Sequence, residues 1–309
     1  FDRTVYAGGI PNISAWVKGL IPVDTRDSVE RWTNNAMLLN YAYLTDTKFG
    51  VGAASTSVDT DLIDAGANTC DEFVTTANLA QAVSSVDTSG DMLALSGEMV
   101  EFQTGDRVQV TSTGSIPSGI SGATNYYVIP YQRISTPRIK LASSYANALA
   151  GTAIDITSAG SGTITVTKNA EARYTLNGVI DTDGNPQEIY KNLLTAMSGK
   201  AIYVGGKWSL SVGGYATPTI EFGKADMHGP LTMQTNVSRR DRFNNVQGVY
   251  VSPLNYAQPM DYPLVKNDTY ATEDGETIPR RYDLPYTTRP HTAQRLAKIE
   301  LERSRQEIT

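Results

Sequence analysis

YYVIP at residues 126–130, RIKLA at 138–142 and TITVTK at 163–168 are short segments in which the side chains alternate in character, and turn residues separate them. Alternation with a period of two is typical of a strand that buries one face. Three further candidate strands lie at residues 92–95, 107–111 and 153–156. Six short strands at this spacing predict a small β-sandwich or β-barrel over residues 86–169.

The segment before this module carries helical patterns instead. Residues 1–85 are predicted to form the first part of a larger domain with two helices. Apolar side chains recur at three- and four-residue spacing over residues 35–46, which predicts the first helix. The second is predicted from Asp59, a favourable N-cap residue, through Val74, with Cys70 on its apolar stripe. Because free cysteine is among the most buried residue types, we expect Cys70 to be a buried structural thiol.

Residues 170–309 are predicted to complete the larger domain. Asn185 as N-cap followed by Pro186 at the first helical position predicts a helix that stops at Gly199. Residues 201–212 predict a hairpin with its turn at a Gly-Gly pair. The later predictions are a strand over residues 245–251, a turn at 274–275 and an amphipathic helix over 293–306. The chain is therefore expected to be α+β and β-rich, with a few short helices and an inserted small all-β module.

Composition narrows the classes of function. A formal net charge of -6 disfavours a nucleic-acid binder that works by neutralising phosphates. One cysteine rules out an intrachain disulfide, and two histidines leave few ligands for zinc. The 17 tyrosines against 6 phenylalanines suit half-buried surfaces of the kind found between subunits. The lack of an initiator methionine and the helical pattern at the C-terminus lead us to expect a piece of a longer polypeptide.

The candidates for chemistry are weak. Asp181 and Asp183 resemble the start of a calcium loop but lack the later acidic ligand. The basic run at residues 239–242 is interrupted by an aspartate, which favours a solvated edge over a phosphate site. Trp208 and the pair at 126–127 have rings that could stack on sugars, although core packing is the favoured interpretation for Trp208. We identify no catalytic, cofactor-binding or metal residues and expect a protein that is not an enzyme.

Several phrases of the sequence, in order along the chain, resemble the tail tip attachment protein J family of lambda-like siphophages. Before the module these are WTNNAML at 32–38, YLTD at 43–46, FGVG at 49–52 and ANTCDE at 67–72. After it they are RYTLNGVI at 173–180, GKW at 206–208, GGY at 213–215, RFNNV at 242–246, DYP at 261–263 and AQRLA at 293–297. Residues 86–169 lie outside the resemblance and are similar to small β-insertions of phage tail proteins.

The resemblance implies a homotrimeric central hub in the virion, at the distal tail tip of a siphophage, assembled in the host cytoplasm. Such a structural protein closes the tail tube, contacts other tail-tip and tail-tube proteins, anchors tail-fibre parts for host attachment, and lets DNA pass through its lumen at ejection without specific binding. It reaches the host receptor through a distal region that this chain lacks. The alternative is a receptor- or glycan-binding module centred on the inserted β-domain.

Overall fold

The computed structural model of the chain describes residues 15–97, 101–132, 136–215, 217, 221, 223, 226, 229 and 241–305. Within them, helices accompany a closed six-stranded barrel and four small sheets, so the predicted β-rich α+β class is confirmed. We call residues 73–172 the barrel and the remaining described residues the body.

The body begins with a short hairpin and two packed helices. Its elements are β1 (Val23–Asp24), β2 (Val29–Glu30), α1 (Ala36–Thr45), a 3-10 turn (Ser55–Ser57) and α2 (Thr60–Asp71). Helices α1 and α2 pack closely because Gly66 has no side chain: a Cβ there would lie 2.2 Å from Cε of Met37. Cys70 on α2 is fully buried, as predicted.

The barrel contains six antiparallel strands and one short helix. They are β3 (Phe73–Asp87), β4 (Met92–Leu95), β5 (Arg107–Ser112), β6 (Tyr126–Gln132), β7 (Arg138–Ala142), α3 (Tyr145–Ala150) and β8 (Ile164–Ala172). The strand order is β3-β4-β7-β6-β5-β8, and β8 closes the barrel on β3. The interior is filled with branched aliphatic side chains such as Val108, Val128 and Val166, as is usual for small barrels.

The limits of the module differ from the prediction. Helix α2 ends at Asp71, and Phe73 and Val74 open strand β3 instead of closing the helix. The predicted boundary at residues 85–86 therefore falls inside β3, and the folded barrel starts at residue 73. Residues 153–156 do not form a strand; the N–H of Ile154 donates a single ladder-like bond to the carbonyl of Leu141.

After the barrel the chain returns to the body. Its elements are α4 (Pro186–Thr195), β9 (Lys200–Val204), β10 (Lys207–Ser211), β11 (Asn245–Gln247), β12 (Val249–Ser252), a 3-10 turn (Pro253–Asn255), β13 (Gln258–Asp261), β14 (Val265–Lys266), α5 (Asp268–Asp274), β15 (Pro279–Arg281) and α6 (Pro290–Arg303). One buried apolar cluster includes Leu44 of α1, Leu193 of α4 and Leu296 of α6. The two stretches that flank the barrel therefore share a single core.

Three predicted elements of the later body appear with changed limits. The strand predicted over residues 245–251 is split at Gly248, where a Cβ would lie 2.1 Å from the carbonyl oxygen of Tyr282. The turn at residues 274–275 is the end of α5, where Gly275 takes the left-handed conformation. Helix α6 begins at Pro290, three residues before the predicted start, because proline suits the first helical position.

Asparagine caps three described helices, α1, α4 and α5, and the first two of these caps lie in different surroundings. Asn185 is exposed, and its side chain accepts a bond from the N–H of Gln187. Asn35 is fully buried; its Oδ1 accepts from the N–H groups of Met37 and Leu38, and its Nδ2 donates to the carbonyl of Ala67 at 2.9 Å. Asn35 therefore both starts α1 and ties it to α2.

We expect Asn185→Ala to lower the free energy of unfolding by about 1 kcal/mol, the usual cost of losing a cap. Asn35→Ala is expected to cost about 2–3 kcal/mol, because it also leaves the buried carbonyl of Ala67 without its donor. Chemical denaturation of the two variants beside the parent protein measures both values. Equal costs would contradict the bridging role of Asn35.

Candidate functional site

A group of charged side chains lies buried where the barrel meets the body. It consists of Asp106, Lys168 and Glu171 of the barrel and Arg289 of the body, each at most 3% exposed in its side chain, and we call it the ionic cluster. Lys168 Nζ lies 3.1 Å from the Asp106 carboxylate and 2.9 Å from that of Glu171. Arg289, directly before α6, pairs with Asp106 and lies 3.5 Å from Glu171. The cluster therefore joins the two parts of the chain by charge.

Hydrogen bonds extend the ionic cluster on both sides. The Thr292 hydroxyl and Nη2 of Arg295, both on α6, each donate to Glu171 Oε1 at 3.0 Å. Nearby, Gln103 Nε2 donates to the carbonyl of Thr288 at 2.7 Å, and the Thr288 hydroxyl donates back to Gln103 at 3.0 Å. A buried charge is tolerated when it is paired and its remaining hydrogen-bonding positions are filled. The start of α6 is thus fixed against the barrel.

The surroundings keep Glu171 and Arg289 ionised. Burial alone would raise the pKa of the Glu171 carboxyl, but Lys168, Arg289 and Arg295 outweigh it and hold that pKa well below its usual range. Burial alone would lower the pKa of Arg289, but the carboxylates of Asp106 and Glu171 raise it. A general acid or base must titrate near the working pH and reach its substrate. Glu171 and Arg289 are buried and stay charged at neutral pH, so they suit holding the barrel against the body rather than proton transfer.

Glu171→Gln is expected to lower the free energy of unfolding at pH 7 by about 3 kcal/mol, because three cations would then face a single carboxylate in a buried place. The folded-state pKa of Glu171 is depressed, so its stabilisation is complete above the unfolded value of about 4.3 and is lost as pH falls toward the folded pKa. Denaturation at pH 7, 5 and 3 should show the variant approaching the parent protein as the pH falls.

Glu72→Gln is the matched control. Glu72 pairs with Arg173 at 2.6 Å, but its side chain is 57% exposed, so we expect a loss below about 1 kcal/mol. If both substitutions had the same small effect at pH 7, the ionic cluster would not be what holds the start of α6 against the barrel.

Two groups of apolar side chains are exposed on the body. The first, the N-terminal strip, comprises Trp16, Val17, Leu20 and Ile21, which are between 51% and 79% exposed. The second, the hairpin edge, comprises Ile202, Tyr203 and Val204 of β9, which are between 53% and 65% exposed. Strand β9 pairs only with β10 among the described residues, so its other edge is open. Exposed apolar groups of this kind mark surfaces that contact other proteins.

Cys70, which was predicted to be a buried structural thiol, is shielded from reaction. Burial raises the pKa of Cys70 to about 12, so the thiol stays protonated at neutral pH. We expect Cys70 of the native protein to react with a water-soluble thiol reagent at least tenfold more slowly than the same residue in denaturant. A colorimetric thiol assay with and without guanidinium measures the two rates, and comparable rates would contradict the burial.

The other sequence candidates are dispersed. Asp181 is exposed, and its carboxylate accepts from the N–H of Asp183, an arrangement that shapes the loop before α4. No group of three or more His, Cys, Asp or Glu converges as metal ligands within the described residues. In the basic run at residues 239–242, only Asp241 and Arg242 belong to the described residues. His228 lies outside the described residues.

The aromatic candidates pack rather than project. Trp208 is partly buried against the body core, with its ring 5.2 Å from that of Tyr203. Tyr126 points into the barrel core. Tyr127 packs edge-on against Phe73 at 5.4 Å, beside Tyr145. The predicted core packing of Trp208 is confirmed, and the rings of Tyr126 and Tyr127 pack against neighbouring side chains as well.

Sequence reasoning missed the ionic cluster, although one signal was present. In strand β8 the inward positions run Ile164, Val166 and then Lys168, so the alternation places a lysine on the buried face. A lysine there requires a buried acidic partner. That partner, Asp106, and the bridging Arg289 come from distant parts of the chain.

No helix in the described part of the chain is long and apolar enough to cross a bilayer. Comparison of the chain with protein-family models gives no match. A search of curated protein sequences likewise finds no similar protein.

Proposed function

We propose that the chain is a structural, non-enzymatic subunit that works by assembly, forming part of a trimeric hub at the distal tail tip of a long-tailed phage. The observation that carries the proposal is the exposed apolar surface of the body, made of the N-terminal strip and the hairpin edge. Covering these side chains with another subunit would stabilise the protein, since each square ångström of apolar surface removed from water contributes about 25 cal/mol of free energy.

The arrangement of the chain is consistent with this proposal. The phrases that resemble the tail-tip family lie in the body, which folds around one core. The barrel, which contains the residues 86–169 that lie outside the resemblance, leaves and re-enters the body at neighbouring residues: the N–H of Arg173 donates to the carbonyl of Glu72 at 2.8 Å. A domain inserted in this way adds an appendage without disturbing the core that carries it.

The net charge of the chain agrees with passage of DNA through a lumen. A surface that is mildly acidic overall repels a polyanion and does not hold it, so a chain at -6 suits a channel wall better than a DNA-binding surface. The proposed partners are two further copies of this chain and the neighbouring tail-tip and tail-tube proteins.

The alternative of a glycan- or receptor-binding barrel has one supporting feature. Tyr131 of β6 is 64% exposed, and Lys140 of the neighbouring strand lies over its ring at 5.8 Å. The barrel interior is filled with aliphatic side chains, so a ligand would have to be bound from outside. A single exposed ring is a smaller apolar feature than the surface of the body, and assembly is therefore the function we favour.

The test is the mass of the purified chain in solution. We expect a species of three times the 33.4 kDa chain mass in sedimentation or mass photometry. The double substitution Ile202→Asp and Val204→Asp places charges at the hairpin edge, and we expect it to shift the protein to monomer while the thermal unfolding midpoint stays within about 3 °C of the parent.

Val179→Asp is the control, because Val179 is 93% exposed, lies in a loop and belongs to neither apolar group. It should leave the assembly intact. A parent protein that is monomeric at every concentration would overturn the proposal, as would a trimer that survives the double substitution at the hairpin edge together with removal of the N-terminal strip.

A further inference from the structure

A groove with mixed walls, in which Ala77, Leu264 and Val265 accompany polar and charged residues, lies between the barrel and the last helix. It has a volume of about 460 Å³ and lies against Thr75 and Thr76 of β3, Lys266 of β14 and one face of α6. The face of α6 presents His291, Gln294, Arg295 and Lys298, which share one side of the helix because they follow the i, i+3, i+4, i+7 spacing. The groove is therefore built by three elements that are remote in sequence.

The charge of the groove is opposite to that of the chain. Its lining includes three permanent cations and a histidine, and no aspartate or glutamate from the described residues lines it, on a chain whose net charge is -6. Two of the cations are partly compensated: Arg295 Nη2 donates to Glu171 at 3.0 Å, and Lys266 pairs with Asp268 at 3.0 Å. Lys298 has no ion pair or hydrogen bond within the described residues. A net positive charge faces the groove.

Two hydrogen-bond donors in the lining lack acceptors. The hydroxyl of Thr76 and Nε of Arg295 are buried atoms without a partner in the described part of the chain. Nε of Arg31, Arg138, Arg289 and Arg305 is likewise without a partner in that part of the chain, so these two atoms support a site only together with the charge of the groove. Strand β3 is also irregular here, since its pairing with β8 shifts register between Thr75 and Leu79. Irregularities of this kind are over-represented beside functional sites.

We propose that this groove is a binding site for a phosphate monoester. A phosphate group accepts many hydrogen bonds and carries enough charge to engage several cations at once. Lys298 and Lys266 supply point charges, and Arg295 and Thr76 supply the donors now unpaired. The groove is larger than one phosphate ion requires, so there is room for a small organic group whose hydroxyls would meet Gln294 and Thr75.

A nucleic-acid backbone is the less favoured occupant. Phosphodiester recognition along a strand requires a row of cations, whereas the positive side chains here converge on one cavity of limited volume. The site is independent of the assembly proposed above, because it uses neither the N-terminal strip nor the hairpin edge.

The probe is glucose 6-phosphate, titrated calorimetrically into the full chain at low salt in a buffer free of phosphate. We expect saturable binding that weakens as sodium chloride is added, and no binding of glucose. Lys298→Glu should weaken binding at least tenfold, because it reverses a charge in the groove. Thr76→Val, which removes the hydroxyl while keeping the side-chain shape, should weaken binding several-fold.

Lys191→Glu is the matched control, since Lys191 is exposed on α4 and lies outside the groove. It carries the same change of charge and should bind within twofold of the parent protein. Thermal unfolding of every variant confirms that each is folded. Absence of saturable binding to the parent protein, equal binding by the Lys298 and Lys191 variants, or binding of a single-stranded DNA oligonucleotide in preference to glucose 6-phosphate would each overturn the proposal.

Discussion

The pairing of Arg289 with Asp106 and Glu171 is the interaction on which the arrangement of this chain depends. Both carboxylates belong to the barrel and the guanidinium belongs to the body, and all three are almost completely buried. Such a pair contributes little when it is intact, but removing one member leaves an uncompensated charge in a place without water. The cluster therefore specifies how the barrel is oriented on the body, because other orientations would leave these buried charges without partners.

The strands that bracket the barrel complete this arrangement. Strands β3 and β8 are antiparallel neighbours, with Phe73 opposite Ala172, so the two ends of the insertion lie side by side. Because the two ends of the insertion lie together, the insertion does not push apart the flanking elements of the body. A longer connection between the same two points costs little additional entropy. This explains how about a hundred residues can interrupt the body while α1, α2, α4 and α6 still share one core.

The same junction also creates the groove. Arg295 donates to Glu171 of the ionic cluster with one nitrogen, while its Nε faces no acceptor, so the residue belongs to both features. The cluster holds α6 against β8, and the irregular part of β3, which pairs with β8, lies beside the cationic face of that helix. The exposed apolar groups of the body and the groove at the junction thus consist of different residues of one architecture.

Local signals determined a large part of this fold. The caps at Asn35 and Asn185, the Gly205-Gly206 hairpin and five of the barrel strands follow from residues within a few positions of each other, where propensity and capping act. Strand β3 was not predictable in the same way. Its centre, residues 77–82, is rich in Ala, Leu and Gln, and pairing with β4 and β8 overrides that preference. The ionic cluster joins residues 183 positions apart, and only the tertiary structure could decide that contact, because charge pairing depends on distance in space rather than along the chain.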